Sequence, residues 1–115
     1  MRFQVSTFFK LLVVGAFLLT FTMALQAGPE ADGGDLFKHK CAMCHGADGK
    51  GYSALKTPDF TDPKVQASMT DEEIAQVIKN GKKDTAMPPF GSSLNDDQVH
   101  ALVTYIRSLD SSKQK

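Results

Sequence analysis

Three amphipathic stretches and one unbroken apolar run organise this chain. Ile74, Val77 and Ile78 recur at helical steps between Asp71 and Asn80, with charged residues filling the other positions. Thr70 precedes this stretch and Glu73 follows three residues later, the capping-box pattern that starts a helix. Gly81 stops it. Acids crowd the first turn and Lys79, Lys82 and Lys83 the end, as the helix dipole favours. A second stretch opens on Asn95 with Gln98 three residues on, and carries Val99, Leu102, Val103, Ile106 and Leu109 at helical spacing. A third, shorter stretch is predicted to be helical from Asp35 to Cys44, with Asp32 or Asp35 as cap and with Leu36 and Phe37 on its apolar side. Between these lie a glycine-rich polar loop, Gly46–Thr57, turn structure over Asp59–Pro63, and a loop from Lys82 to Leu94. The polar tail from Asp110 to Lys115 is expected to fray. No strand-rich segment and no internal repeat is visible.

The apolar run lies at the start. Arg2 and Lys10 are the only charges before Glu30, and Leu11–Leu25 is apolar apart from Gly15, Thr20 and Thr22. A basic start, an apolar centre and small residues after it read as a secretory signal over residues 1–27, cleaved after Ala27 or Ala24. The alternative is an uncleaved anchor, because Leu11–Pro29 is about long enough to span a membrane. Either reading puts residues 28–115 outside the cytoplasm, as a single domain. Removing the leader removes two of the thirteen basic residues and none of the thirteen acidic ones, leaving a formal charge of −2. That balance argues against nucleic acid as a partner.

The chemistry sits in Cys41-Ala42-Met43-Cys44-His45. C-x-x-C-H is a haem attachment signal: each thiol can form a thioether with a haem vinyl group, and the histidine can bind iron. Three other readings compete. A thioredoxin-like redox pair would want a nearby βαβ pattern. A zinc site would want two more ligands at paired spacing. A plain disulfide is possible in an oxidising compartment. Gly46–Thr57 does not have the phosphate-binding pattern G-x-x-x-x-G-K-[ST].

With Gly33 eight residues and Phe37 four residues before Cys41, Met87-Pro88-Pro89-Phe90 downstream, and Leu102-Val103-Thr104-Tyr105 near the end, the chain resembles the small, soluble class I c-type cytochromes of bacterial type. The resemblance covers roughly Gly33 to Leu109. It implies an all-α cytochrome c fold, with three main helices around one covalently attached haem c and its iron. Cys41 and Cys44 would form the thioethers, and His45 and Met87 the axial ligands. Gly33 would let the first helix cross the last closely, with Phe37 packed in the crossing. Pro58 is implied as the carbonyl accepting the His45 Nδ1 proton, which would fix the ring. Phe60 is implied to pack on the haem. Pro88 biases Met87 to extended backbone, which helps hold its sulfur in place. Met69, His100 or an open position are the competing sixth ligands. Met43 lies inside the motif, and His39 is expected to face solvent.

What the resemblance implies functionally is one-electron transfer without catalysis. Redox donor and acceptor proteins would dock transiently on a monomer, and the membrane would be involved only if the N-terminal segment is kept. A haem-based gas sensor, a small haem enzyme with an open sixth site, and a membrane-tethered subunit of a larger oxidoreductase are the alternatives. A chain this short buries a limited core without the cofactor, so folding is expected to be coupled to haem binding.

Overall fold

The computed structural model describes residues 31–115. The expected signal segment, residues 1–27, and the boundary at residue 28 lie outside the described residues. Five α-helices follow in order: α1 (Gly33–Lys40), α2 (Ala42–His45), α3 (Pro63–Ala67), α4 (Asp71–Asn80) and α5 (Asp96–Ser108). Short 3₁₀ turns occupy Ser53–Leu55 and Ser111–Lys113. No strand occurs among the described residues, and no helix among them is long and apolar enough to cross a membrane. The architecture is the all-α one expected, with α1, α4 and α5 as its main helices.

The first helix differs from expectation at both ends. It begins at Gly33 because the Asp32 carboxylate accepts the amides of Gly34 at 2.8 Å and Asp35 at 3.1 Å, filling the donors a first turn leaves open. It kinks at Cys41 (φ −118°) and resumes as α2, with the His45 amide donating to the Cys41 carbonyl at 2.9 Å. Both capping boxes form as expected. Thr70 and Glu73 bond reciprocally at the start of α4, and Asn95 and Gln98 at the start of α5. The turn expected over Asp59–Pro63 ends early. Asp62 caps a helix at Lys64 N (2.8 Å), and Pro63 occupies its first turn. At five residues, α3 is too short to show a periodicity. The tail is also more ordered than expected. Asp110 is buried, and its carboxylate accepts from the Ser112 amide and hydroxyl at 2.9 and 2.7 Å. The Ser111 amide donates to Thr61.

The core lies where α1 and α4 meet α5. Leu102 is 0% exposed and Phe37 1%, and Val99, Val103, Ile106, Ile74 and Ile78 close around them. Gly33 makes the crossing of α1 and α5 possible. A Cβ there would lie 2.1 Å from the Ala101 carbonyl oxygen. Without it the two backbones touch, and the Phe37 and Tyr105 rings pack with centroids 5.2 Å apart.

Candidate functional site

Cys41, Cys44 and His45 are brought to one short helical turn. Both thiols are free, Cys41 half-buried and Cys44 exposed. Burial pushes the Cys41 thiol up to about 11, against the pull of Lys40. Met43, between them, is 88% exposed. The turn hands the chain to the glycine-rich loop. There the Gly51 amide donates to the His45 carbonyl at 2.8 Å, and Gly46, Gly49 and Gly51 all have positive φ. Gly49 also lies against the end of the Leu109 side chain, which a Cβ would approach to 2.6 Å.

The His45 imidazole is enclosed by aromatic rings. Phe60 stacks on it at 4.9 Å with 22° between planes, and Phe37 lies 6.4 Å away. Burial lowers the pKa of His45 and so favours the neutral ring that binds metal. Its Nδ1 is the buried side-chain polar atom without a hydrogen-bond partner among the described residues. The bond expected from this atom to the Pro58 carbonyl is therefore not made. Pro58 is exposed, and its carbonyl lies against Gly51, where an added Cβ would approach it to 2.8 Å. The imidazole faces the Phe60 ring instead. Phe60, expected against the cofactor, is buried at 6% exposure.

Met87 is half-buried on a loop folded back over the end of α4. The Lys82 amide donates to the Met87 carbonyl at 3.2 Å, and the Met87 amide to Thr85 Oγ1 at 3.2 Å. Beyond the prolines, the Phe90 and Gly91 amides donate to the Ile78 and Lys79 carbonyls, which α4 leaves open. Gly81 (φ 73°) does more than end the helix. A Cβ there would lie 2.8 Å from the Met87 carbonyl, so glycine lets the Met-Pro-Pro segment pass close by. Of the competing ligands, His100 is exposed and Met69 packs against the core, and His39 is exposed as expected.

Sequence reasoning missed Gln66 and Arg107. Gln66 is buried on α3. The Arg107 guanidinium, on α5, donates to the Gln66 carbonyl and side-chain oxygen, to the Met69 carbonyl, and to Asp71 Oδ1 at 2.6 Å. No local pattern marks either residue, because each finds its partners across the fold.

These features fit a covalently held haem. Two free thiols share one turn, the adjacent half-buried imidazole has a buried nitrogen without a hydrogen-bond partner, and a methionine sits on a pinned loop. No group of three or more His, Cys, Asp or Glu side chains among the described residues could hold a bare metal ion. Comparison with known proteins agrees. Residues 28–106 match the family described as cytochrome c oxidase, cbb3-type, subunit III. A cytochrome c6 of Leptolyngbya boryana is 34% identical over 76 residues, 66% of this chain and 87% of that one. The cbb3-type cytochrome c oxidase subunit CcoP of Rubrivivax gelatinosus is 38% identical over 69 residues, but the chain spans 22% of that subunit's length and the match takes in 60% of this chain. Among solved structures, the KustC0563 c-type cytochrome superposes with a TM-score of 0.64 at 34% identity, covering 69% of this chain and 98% of that one.

Proposed function

The chain belongs to the c-type cytochrome family, and from that premise we propose that it is a one-electron carrier whose haem c is held by Cys41, Cys44, His45 and Met87. Haem-based electron transfer and a covalently bound haem c with its iron come with the family. The residue assignments, the absence of catalysis and the extracytoplasmic address are the proposal. The observation that carries it is the attachment turn itself: two free thiols beside a half-buried imidazole whose pKa burial lowers. When bound, the haem supplies a ferric/ferrous couple that accepts and returns one electron.

The chain's own residues bind, orient and shield. Cys41 and Cys44 would hold the haem, each S–H adding across a vinyl double bond so that sulfur goes to one carbon and hydrogen to the other. His45 would supply a nitrogen ligand to the iron. Met87 would supply a thioether ligand, which raises the reduction potential. With both residues bound the iron would have no place for a substrate, which disfavours the sensor and enzyme readings. Phe60 and Phe37 keep water from the histidine. The exposed Cys44 and Met43 mark the edge where electrons leave to transiently docked partners.

A second reading, a module within a larger membrane oxidoreductase, is favoured by the likeness to CcoP. The match to nearly the whole of a cytochrome c6 favours the separate carrier. The intact mass of the exported protein distinguishes them: loss of residues 1–27 supports the carrier, and retention supports the tethered module. The ligand set is tested by the visible spectrum with and without Met87→Ala. The weak sulfur-to-iron charge-transfer band of the ferric form should be present and should vanish in the variant. A wild-type protein without that band, binding carbon monoxide readily, would overturn the carrier reading.

A further inference from the structure

The chain from Lys82 to Met87 leaves the end of α4 and closes on itself. Its ends are joined directly, the Lys82 amide donating to the Met87 carbonyl at 3.2 Å. A second link runs through one side chain. The Thr85 hydroxyl donates to the Lys82 carbonyl at 2.7 Å, and the same oxygen accepts the Met87 amide at 3.2 Å. A threonine hydroxyl has one proton to give and lone pairs to receive, so both bonds can form at once. The Thr85 amide adds a bond to the Lys82 carbonyl at 3.2 Å. Both backbone groups of Met87 are thus tied to Lys82, one directly and the other through Thr85 Oγ1.

The second observation is what this closure works against. Asp84 sits at φ 60°, in the left-handed region that side chains seldom adopt, and that turn brings Thr85 back over Lys82. Residues 82–86 are all exposed, so hydrogen bonds rather than core packing hold the loop in shape. Beyond Met87, Pro88 and Pro89 have no amide to donate. The next fixed points are the Phe90 and Gly91 amides, which donate to the Ile78 and Lys79 carbonyls at 2.9 and 3.0 Å. The Met87 backbone is therefore placed by the closed loop on one side and by these anchors on the other. A thioether is a neutral ligand, and its hold on a metal depends on how seldom its loop opens. We infer that Thr85 is a positioning residue for the sixth ligand, its hydroxyl latching the loop that presents the Met87 sulfur.

The inference rests on Met87 being an iron ligand. The test titrates the mature ferric holoprotein with imidazole and follows the loss of the sulfur-to-iron charge-transfer band. Added imidazole takes the iron only after Met87 has left, so its apparent affinity scales with the open fraction of the loop. Thr85→Val keeps the branched shape and loses the hydroxyl. It should bind imidazole about three- to tenfold more tightly, the change expected for losing one or two modest hydrogen bonds. Thr85→Ser, which keeps the hydroxyl, should return to the wild-type affinity. Asn95→Ala, a cap lesion at the start of α5, should lower the melting temperature and leave imidazole affinity unchanged. A Thr85→Val protein with wild-type imidazole affinity overturns the inference, whatever its melting temperature. So does a Thr85→Ser protein that binds imidazole as tightly as Thr85→Val. Thr85→Ala gives the same reading if the valine variant fails to mature. A wild-type protein without the band removes Met87 as a ligand and takes the inference with it. With the band present and unmoved by Thr85→Val, the inference alone fails.

Discussion

Replacing Gly33 by alanine should cost far more than replacing Gly34, its neighbour in the same first turn. The methyl at 33 would lie 2.1 Å from the Ala101 carbonyl oxygen and 2.7 Å from its carbon. Both are backbone atoms and cannot swing away. Against an ordinary contact of 3.4 Å the shortfall is 1.3 Å, so α1 and α5 must part by about that much. Gaps of 0.5–1 Å already forfeit about a quarter to a half of a dispersion well. Phe37 and Leu102, buried in this crossing, are each worth roughly 1.5–3 kcal/mol. Losing about a third of both, with part of the Phe37–Tyr105 pairing (about 0.5–1.5 kcal/mol), outweighs the gain of at most about 1 kcal/mol from removing a helical glycine. The net is about 1 kcal/mol of destabilisation, at the low end of the usual cost of overpacking. A domain of this size should then melt roughly 4–8 °C lower. At Gly34 the methyl meets only the ends of the Asp32 and Tyr105 side chains, at 3.2 Å, and Gly34→Ala should change stability by less than about 0.5 kcal/mol. Thermal unfolding of both holoprotein variants by far-ultraviolet circular dichroism measures the difference. A Gly33→Ala variant as stable as Gly34→Ala would refute the close crossing.

Other substitutions separate strong contacts from weak ones. Arg107→Ala strips partners from the buried Gln66 oxygen and from two carbonyls, and should lower stability by about 2–3 kcal/mol in urea titrations. Asp71→Asn touches only the exposed end of the same network and should cost under about 1 kcal/mol. Thr70→Ala removes one half of a capping box and should cost about 1 kcal/mol, visible as a shifted urea midpoint. Stability should also fall in acid. Hydrogen bonds from Thr70 to Glu73, from Lys79 to Asp96, from Ser112 to Asp110 and from Thr61 to Asp59 hold these carboxyls below their usual range. A depressed folded-state value means that the unfolded chain binds more protons. The contribution is thus complete above about pH 5 and is lost as pH drops through 4 and below. Melting temperatures flat from pH 7 to pH 3 would contradict this.

What could be read from the chain without its fold was whatever is encoded locally. The two capping boxes, at Thr70 and Asn95, are four-residue signals and form as expected. The apolar faces of α4 and α5 follow one period, and their buried members Ile74, Ile78, Val99, Leu102, Val103 and Ile106 are the ones anticipated. The pentapeptide Cys41–His45 is contiguous, so the sequence alone could put forward its chemistry. The misses were set by distance or by shortness. α3 has five residues and no period. Asp110 looked like frayed tail because its order depends on a turn with Ser112 and a bond from Ser111 to Thr61, far away in sequence. Gln66 resembles any surface glutamine until Phe60 and Ile106 are placed on either side of it. The Pro58 bond to His45 was carried over from relatives, and the imidazole here faces a ring instead.

The crossing of α1 on α5 joins the two ends of the described chain, and this affects how the protein is made. A polypeptide leaves a ribosome or a translocation pore N-terminus first. The Gly33 turn therefore emerges without its partner, because Ala101 and Tyr105 follow it only 68 and 72 residues later. Until they arrive, the thiols of Cys41 and Cys44 would ride on an open segment, within reach of a haem that is to be attached there. Once α5 is through, its docking on α1 closes the crossing. Sequence order would thus act as a timer, opening a window for attachment that ends when α5 docks.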